Sequence, residues 1–270
     1  MATDGRTREP GVRVVSAVSV ATALLAVVAL LDPFRTTLVA FGPFAPSTDI
    51  GVDELFFGGV SSIGARNGLI LVAGLLVLAL VVGRRFGDAL FIVVAAIGAP
   101  VVSRFAKDLY REPRPPIVAQ AAQVPVTMPL WIVLGVVAVV IVVGLLKGWG
   151  PRTLLGGGIV LAVVCLHWLA NRIVPVSPGL DAFPSGHATG SATLAAAAVL
   201  IFWDDRRWRW PVTILAIAYA AAVGLSRLYL GVHYPADVVA GWSLGTAWVL
   251  ILSLIWSALS RRSITELAGV

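Results

Sequence analysis

PLWIVLGVVAVVIVVGLLK, residues Pro129 to Lys147, holds no charged side chain before its final lysine. A run of this length matches the hydrocarbon core of a bilayer, which takes about 20 apolar residues in helical form. Open strands leave backbone N–H and C=O groups unpaired in lipid, so the run reads as a helix. Comparable blocks recur outward from it at 12–31, 67–83, 88–106, 152–174, 187–203, 211–230 and 235–259. Gly83-Arg84-Arg85-Phe86-Gly87-Asp88 cannot lie in hydrocarbon, so the two blocks flanking it form a hairpin. The expected fold is all-α: a polytopic transmembrane bundle of about eight spans.

Composition agrees with that reading. The chain is 59% hydrophobic and 13% charged, with mean hydropathy +0.94, far from the balance of a protein that folds in water. Its net charge of +6 sits in short clusters between apolar blocks rather than on one continuous face, which excludes nucleic acid as a partner. Cys165 is the single cysteine, so neither an internal disulfide nor a cysteine metal site can form. Arg6, Arg8 and Arg13 precede an apolar run to Leu31 that is longer than a signal peptide and lacks a small-residue cleavage site, as expected for an uncleaved anchor.

Basic residues orient the spans. With a cytoplasmic amino terminus, the inner segments collect Arg6, Arg8, Arg13, Arg84, Arg85, Lys147, Arg152, Arg206, Arg207, Arg209, Arg261 and Arg262. Both termini then lie inside. Segment 44–66 becomes an outer stretch, either a connecting loop or a short interfacial helix in which Asp49, Asp53 and Glu54 flank Leu55, Phe56 and Phe57. The tryptophans near span ends, among them Trp203, Trp208 and Trp210, read as interfacial belts.

Three polar clusters interrupt the apolar chain, and this topology puts all three at the outer face. They are Lys107 to Pro115, Pro184 to His187, and Ser226 to Asp237. His233 and Asp237 are four apart, so on a helix opening near Pro235 the carboxylate can hold one ring nitrogen and leave the other free to attack phosphorus. Arg227 stands before them across a turn permitted by Gly231, where a guanidinium can grip two phosphate oxygens. Ser185 and Gly186 open an alanine-rich helix whose first amides can approach an anion, and His187 in its first turn suits protonation of a leaving oxygen. Lys107 and Arg114, about two helical turns apart, add two cations, with prolines expected to halt their helix after them. No carboxylate cluster or two-histidine spacing offers a metal site. His167, near Asn171 and Arg172, is expected to pack between helices.

In order and content these segments resemble the type 2 phosphatidic acid phosphatase (PAP2) superfamily, which includes the vanadium haloperoxidases and has the pattern K-x6-RP, PSGH and SR-x5-H-x3-D. The resemblance implies that His233 is the nucleophile that becomes a phosphohistidine, that Asp237 orients it, and that His187 is the general acid. It further implies that Lys107, Arg114, Arg227, Ser185 and the Gly186 amide hold the phosphate, with no metal or other cofactor. The substrate it implies is a membrane lipid phosphate or diphosphate of polyprenyl diphosphate, phosphatidic acid or phosphatidylglycerophosphate type. The similarity covers residues 67–259. Familiar members have six spans, so blocks 129–147 and 152–174 read as an inserted transmembrane hairpin, at 129–174, within a six-span core. An inserted pair preserves sidedness. Two other functions suit parts of the pattern: a phosphotransferase in which another alcohol captures the phosphohistidine, and a non-catalytic lipid-binding or transport protein, which would be expected to lack one of the motif residues.

Overall fold

The computed structural model describes residues 10–33, 52–114, 130–146, 148, 157–158 and 181–267. Its helices are α1 Pro10–Leu31, α2 Val52–Gly64, α3 Arg66–Val82, α4 Phe86–Tyr110, α5 Leu130–Leu146, α6 Gly186–Phe202, α7 Arg209–Tyr229 and α8 Pro235–Leu267. Among the described residues the only β pairing is an isolated bridge between Pro113 and Asp181 and no strand forms, in agreement with the all-α expectation. Among the described residues three helices are long and apolar enough to cross a bilayer: α4, α7 and the Pro235–Leu259 part of α8. The α2–α3 pair, bent by 58°, makes a fourth crossing if taken as one broken span. Block 152–174, with Cys165, His167, Asn171 and Arg172, lies outside the described residues, apart from a short helical piece at 157–158.

Helix α6 is the hub. It packs on α8, α7, α4, α3 and α2, and its run from Ala188 to Ala195 is buried throughout. Apolar burial alone does not drive helices together in lipid; small residues do so by letting backbones approach and dispersion contacts accumulate. At Gly241 of α8 a Cβ would stand 2.7 Å from the Ser185 carbonyl oxygen, so only glycine permits this approach. Hydroxyls inside the bundle are satisfied within their own helix, Thr189 donating to Ser185 O and Thr193 to Thr189 O, both at 2.9 Å. Trp248 Nε1 donates to Ala95 O at 3.0 Å and Trp242 Nε1 to Ala220 O at 3.1 Å, which removes two indole N–H groups from hydrocarbon.

Two apolar cores divide the bundle along its length. One joins Val77, Val81, Ile92, Leu194 and Val249 from α3, α4, α6 and α8. The other, toward the polar clusters, joins Val28, Ala106, Phe183, Ala240 and Leu244, with Tyr110 set edge-on to Phe183 at 5.0 Å. The opposite end carries the expected α3–α4 hairpin, with Arg84 at positive φ and Arg85 paired to Asp88 at 2.6 Å. Arg85 also donates to the Ile201 carbonyl at 2.8 Å, capping the end of α6. Trp203, Trp208 and Trp210 are exposed there with Arg207 and Arg209 over indole rings.

Of the two readings left open for segment 44–66, residues 52–64 take the helical one: α2 packs on α3, α6 and α7 and is not a connecting loop. One expectation changes. The first motif is not one helix through Arg114: α4 stops at Tyr110, where Arg111 takes the left-handed conformation (φ 53°) and its N–H returns to Lys107 O. Pro113 explains the early stop, because a residue preceding proline is driven out of the helical region, here Glu112. Among the described contacts α5 packs against α3 alone, with Leu134, Val136 and Ile141 around Leu71.

Candidate active site

The strand-like strap after α4 sets the geometry. Ala182 N donates to Glu112 O at 2.7 Å beside the Pro113–Asp181 bridge, which holds residues 112–114 against the segment entering α6. Lys107 Nζ donates to Asp181 O at 2.6 Å, tying the last turn of α4 to the same segment. Arg114 therefore reaches the site from an extended strap and remains half-buried.

Ser185 is the residue immediately before α6, and its N–H donates to Asp237 O at 2.9 Å. This bond docks the opening of α6 on the opening of α8. Gly231, at φ 65°, turns the chain from α7 into the short loop that carries His233, a conformation glycine adopts without strain. Pro235 then starts α8, since a first-turn residue has no use for its N–H. Asp237 follows in that first turn and has no exposed surface.

His233 Nδ1 lies 3.1 Å from Asp237 Oδ2. The Tyr234 N–H donates to the same carboxylate oxygen at 3.0 Å, so the acceptor is held from two sides. An ionised carboxylate only accepts, so Nδ1 carries the proton and Nε2 keeps its lone pair. Burial pushes His233 down to about 3, against the upward pull of its Asp237 hydrogen bond, and the charges of Arg227 and Arg114 depress it further. The ring is thus neutral at ordinary pH. Burial also lowers Arg114 from its usual range, with Asp237 opposing.

The remaining motif residues converge on this ring. His187 lies within the electrostatic field of Arg227, His233, Arg114 and Lys107 together. Three buried polar atoms of the site have no hydrogen-bond partner: Ser185 Oγ, His187 Nε2 and Arg227 Nε. They sit on the opening of α6 and the end of α7, and a buried polar atom without a partner carries a desolvation cost that a bound group can relieve. Among the described residues no three histidine, cysteine or carboxylate side chains come together to hold a metal.

Sequence reasoning overlooked one neighbour of the site. Ser61 of α2 is fully buried and accepts a hydrogen bond from Arg227 Nη1. The signal was present as Phe57, Ser61 and Gly64, spaced i, i+4, i+7 on one helical face, inside a segment read either as a connecting loop or as a helix lying on the interface.

A family model, the PAP2 superfamily, matches residues 88–261. The undecaprenyl-diphosphatase of Sulfolobus acidocaldarius is 43% identical over 72 residues, 27% of this chain and 32% of that protein. Phosphatidylglycerophosphatase B of Escherichia coli is 38% identical over 78 residues, 28% of this chain and 29% of that protein. The matched stretch thus spans about a third or less of these curated relatives. The crystal structure of a transmembrane PAP2 type phosphatidylglycerolphosphate phosphatase from Bacillus subtilis superposes with a TM-score of 0.54 at 18% identity, covering 88% of this chain and 94% of that one.

Proposed function

Because this chain belongs to the PAP2 superfamily, we propose that it is an integral membrane phosphatase that hydrolyses a lipid phosphate or diphosphate through a phosphohistidine, without a metal or other cofactor. The observation that carries the reading is the set of unpartnered buried atoms on Ser185, His187 and Arg227 around the neutral His233 ring. A phosphate is the group that such a set fits: it takes donors on several sides and tolerates the neighbouring Lys107 and Arg114 charges.

In this mechanism the His233 Nε2 lone pair attacks phosphorus and the bond from phosphorus to the leaving oxygen breaks. His187 gives its proton to that oxygen as it departs. Asp237 holds the Nδ1 proton and stabilises the positive charge that develops on the ring. His187, now a base, takes a proton from water as the water oxygen attacks phosphorus; the P–N bond breaks and inorganic phosphate leaves. Lys107, Arg114, Arg227, Ser185 and the Gly186 amide hold the phosphoryl oxygens as charge shifts among them.

Relatives named for undecaprenyl diphosphate and phosphatidylglycerophosphate support a lipid-linked substrate. A polar site at one end of apolar helices suits a molecule whose tail stays in the bilayer. The basic-residue asymmetry supports a plasma-membrane protein with an extracytoplasmic site and cytoplasmic termini, in which 129–174 is an insertion within a 67–259 catalytic region. The test is phosphate release by purified protein in detergent from a panel of polyprenyl diphosphate, phosphatidic acid and phosphatidylglycerophosphate, with and without EDTA. Turnover of at least one lipid, unchanged by EDTA and inhibited by vanadate, is expected; loss in EDTA with recovery in magnesium overturns the metal-free reading. A cysteine placed at 204 in a Cys165→Ala background should resist an impermeant thiol reagent until cells are opened, and ready labelling of intact cells would reverse the sidedness.

A further inference from the structure

Helix α2 lies along the last turns of α7 in register with the site. Phe57 stacks on Tyr229 at 3.9 Å between ring centroids, Ser61 meets Arg227, and Gly64 sits against the Val223 side chain with no room for a Cβ. The three α2 positions form one face, and their partners run backward along α7, so the two helices are antiparallel here. Tyr219 Oη donates to the Ile63 carbonyl at 3.3 Å, and Phe57 also packs on Leu230 and Val232, two residues of the turn leading into His233. All of α2 precedes the stretch matched by the family, which begins at residue 88.

We propose that Ser61 is a positioning residue for Arg227: its hydroxyl pins one end of the guanidinium so that the Nε edge faces the substrate phosphate. The inference rests on the reading that Arg227 holds that phosphate. A guanidinium is planar with donors in a rigid fork, so fixing Nη1 limits the plane of the whole group. Arg227 is 3% exposed, and Ser61 takes the Nη1 donor while Nε stays unpartnered. Loss of Ser61 therefore leaves a buried Nη1 proton unpaired and lets the fork swing off its aim. The α2–α3 bend at Ala65 keeps this short helix against α7 rather than continuing the line of α3.

Full-length protein in detergent tests this through KM, kcat and vanadate inhibition of Ser61→Ala, Arg227→Ala and the double variant. A grip that serves substrate and transition state alike shows in KM, so Ser61→Ala should raise KM and the vanadate inhibition constant together, by about ten- to a hundredfold, the range for one hydrogen bond to a charged group. A role confined to folding would lower kcat through loss of active protein and leave KM and vanadate inhibition at wild-type values, and that result overturns the proposal. In the Arg227→Ala background, read from residual turnover at high enzyme concentration, adding Ser61→Ala should change KM less than about twofold, since coupled residues are non-additive. Full additivity also overturns it. Ser61→Cys, close in volume with a weaker acceptor, should give a smaller rise of the same kind if Ser61→Ala does not fold, and an unchanged KM there counts against the pin. Arg227→Ala with normal KM and normal vanadate inhibition would overturn the phosphate role of Arg227 and the proposed function with it. A crippled Arg227→Ala beside a normal Ser61→Ala removes the positioning role alone.

Discussion

The two halves of the site are built differently. On the side of α6, α7 and α8, Ser185, Arg227, His233 and Asp237 are all buried, and backbone bonds such as Ser185 N to Asp237 O lock one helix opening to another. On the side of α4, Lys107 and Arg114 are half-buried on a helix end and a strap, and Lys107 spends a donor on the Asp181 carbonyl. Catalysis gains most from groups that need no reorganisation as charge develops, which suits the buried half to bond making and breaking. Partly hydrated cations on a looser support suit capture of an incoming phosphate, because their charge is open to an approaching anion and their geometry is forgiving, while salt screens that attraction. We therefore propose that bond making and breaking falls to His233 and His187 in the buried half and that Lys107 and Arg114 serve chiefly in capture, with Arg227 gripping the phosphate throughout.

The largest effect expected is on the buried side. His233→Ala should lower kcat by at least about 10⁴-fold, and His187→Ala by a comparable amount, with a normal melting transition in detergent. Phosphate release by purified His233→Ala protein within tenfold of wild type would dissolve the distinction, since no other residue in the described site carries a buried lone pair held by a carboxylate. Asp237→Asn keeps the shape and removes the charge that fixes the Nδ1 proton, so it should lose roughly 10²- to 10³-fold in kcat. Wild-type turnover for Asp237→Asn would mean that an acceptor other than the Asp237 carboxylate orients the ring.

The buried half was also the more legible from sequence, for a physical reason. His233 and Asp237 lie four residues apart around a proline that starts a helix, and local helical geometry alone brings them together. Ser185-Gly186-His187 likewise names a helix opening, because an unbroken run of small residues continues from it. The strap resisted reading since its conformation depends on a partner distant in the chain, the bridge from Pro113 to Asp181. Pro113 did mark where α4 must end, yet spacing alone placed Arg114 on the same helix as Lys107. Ser61 was hidden for a related reason: contact with Arg227 spans 166 positions, and nothing local to a Ser-Ser pair in an apolar segment distinguishes a buried acceptor from a packing residue. The membrane helices were legible as apolar blocks, but block 187–203 corresponds to a 17-residue helix buried at the centre, where small residues rather than length carry the information.

The capture half should yield a smaller and different loss. Lys107→Ala and Arg114→Ala are each expected to lower kcat/KM by about ten- to a hundredfold, mostly through KM, and to weaken as salt rises in the wild-type comparison. Arg114→Lys should recover part of the loss by restoring charge without the fork. Steady-state kinetics at two ionic strengths check this. If either substitution instead lowers kcat by thousands with KM intact, that cation acts on the transition state and the division between the halves fails.

The smallest expected effect is the absence of a titration. Burial holds His233 near 3, well under the ordinary histidine value of about 6.5, so its ring should stay neutral from pH 8 to pH 5. In His167→Asn, His187→Asn protein, whose only remaining histidine is His233, ¹⁵N spectra of labelled imidazole in detergent should keep the neutral-tautomer pattern throughout that range. The linkage has a definite sign. Between the folded value and the unfolded one the unfolded chain binds more protons, so this group's contribution to stability is intact above about pH 6.5 and is lost as pH falls toward 3. Arg227→Ala removes one downward influence and should move the titration upward, while Asp237→Asn removes the upward ones and should move it lower still. A wild-type midpoint close to 6.5 would mean that water reaches the ring, and the buried half would then be as hydrated as the strap that faces it.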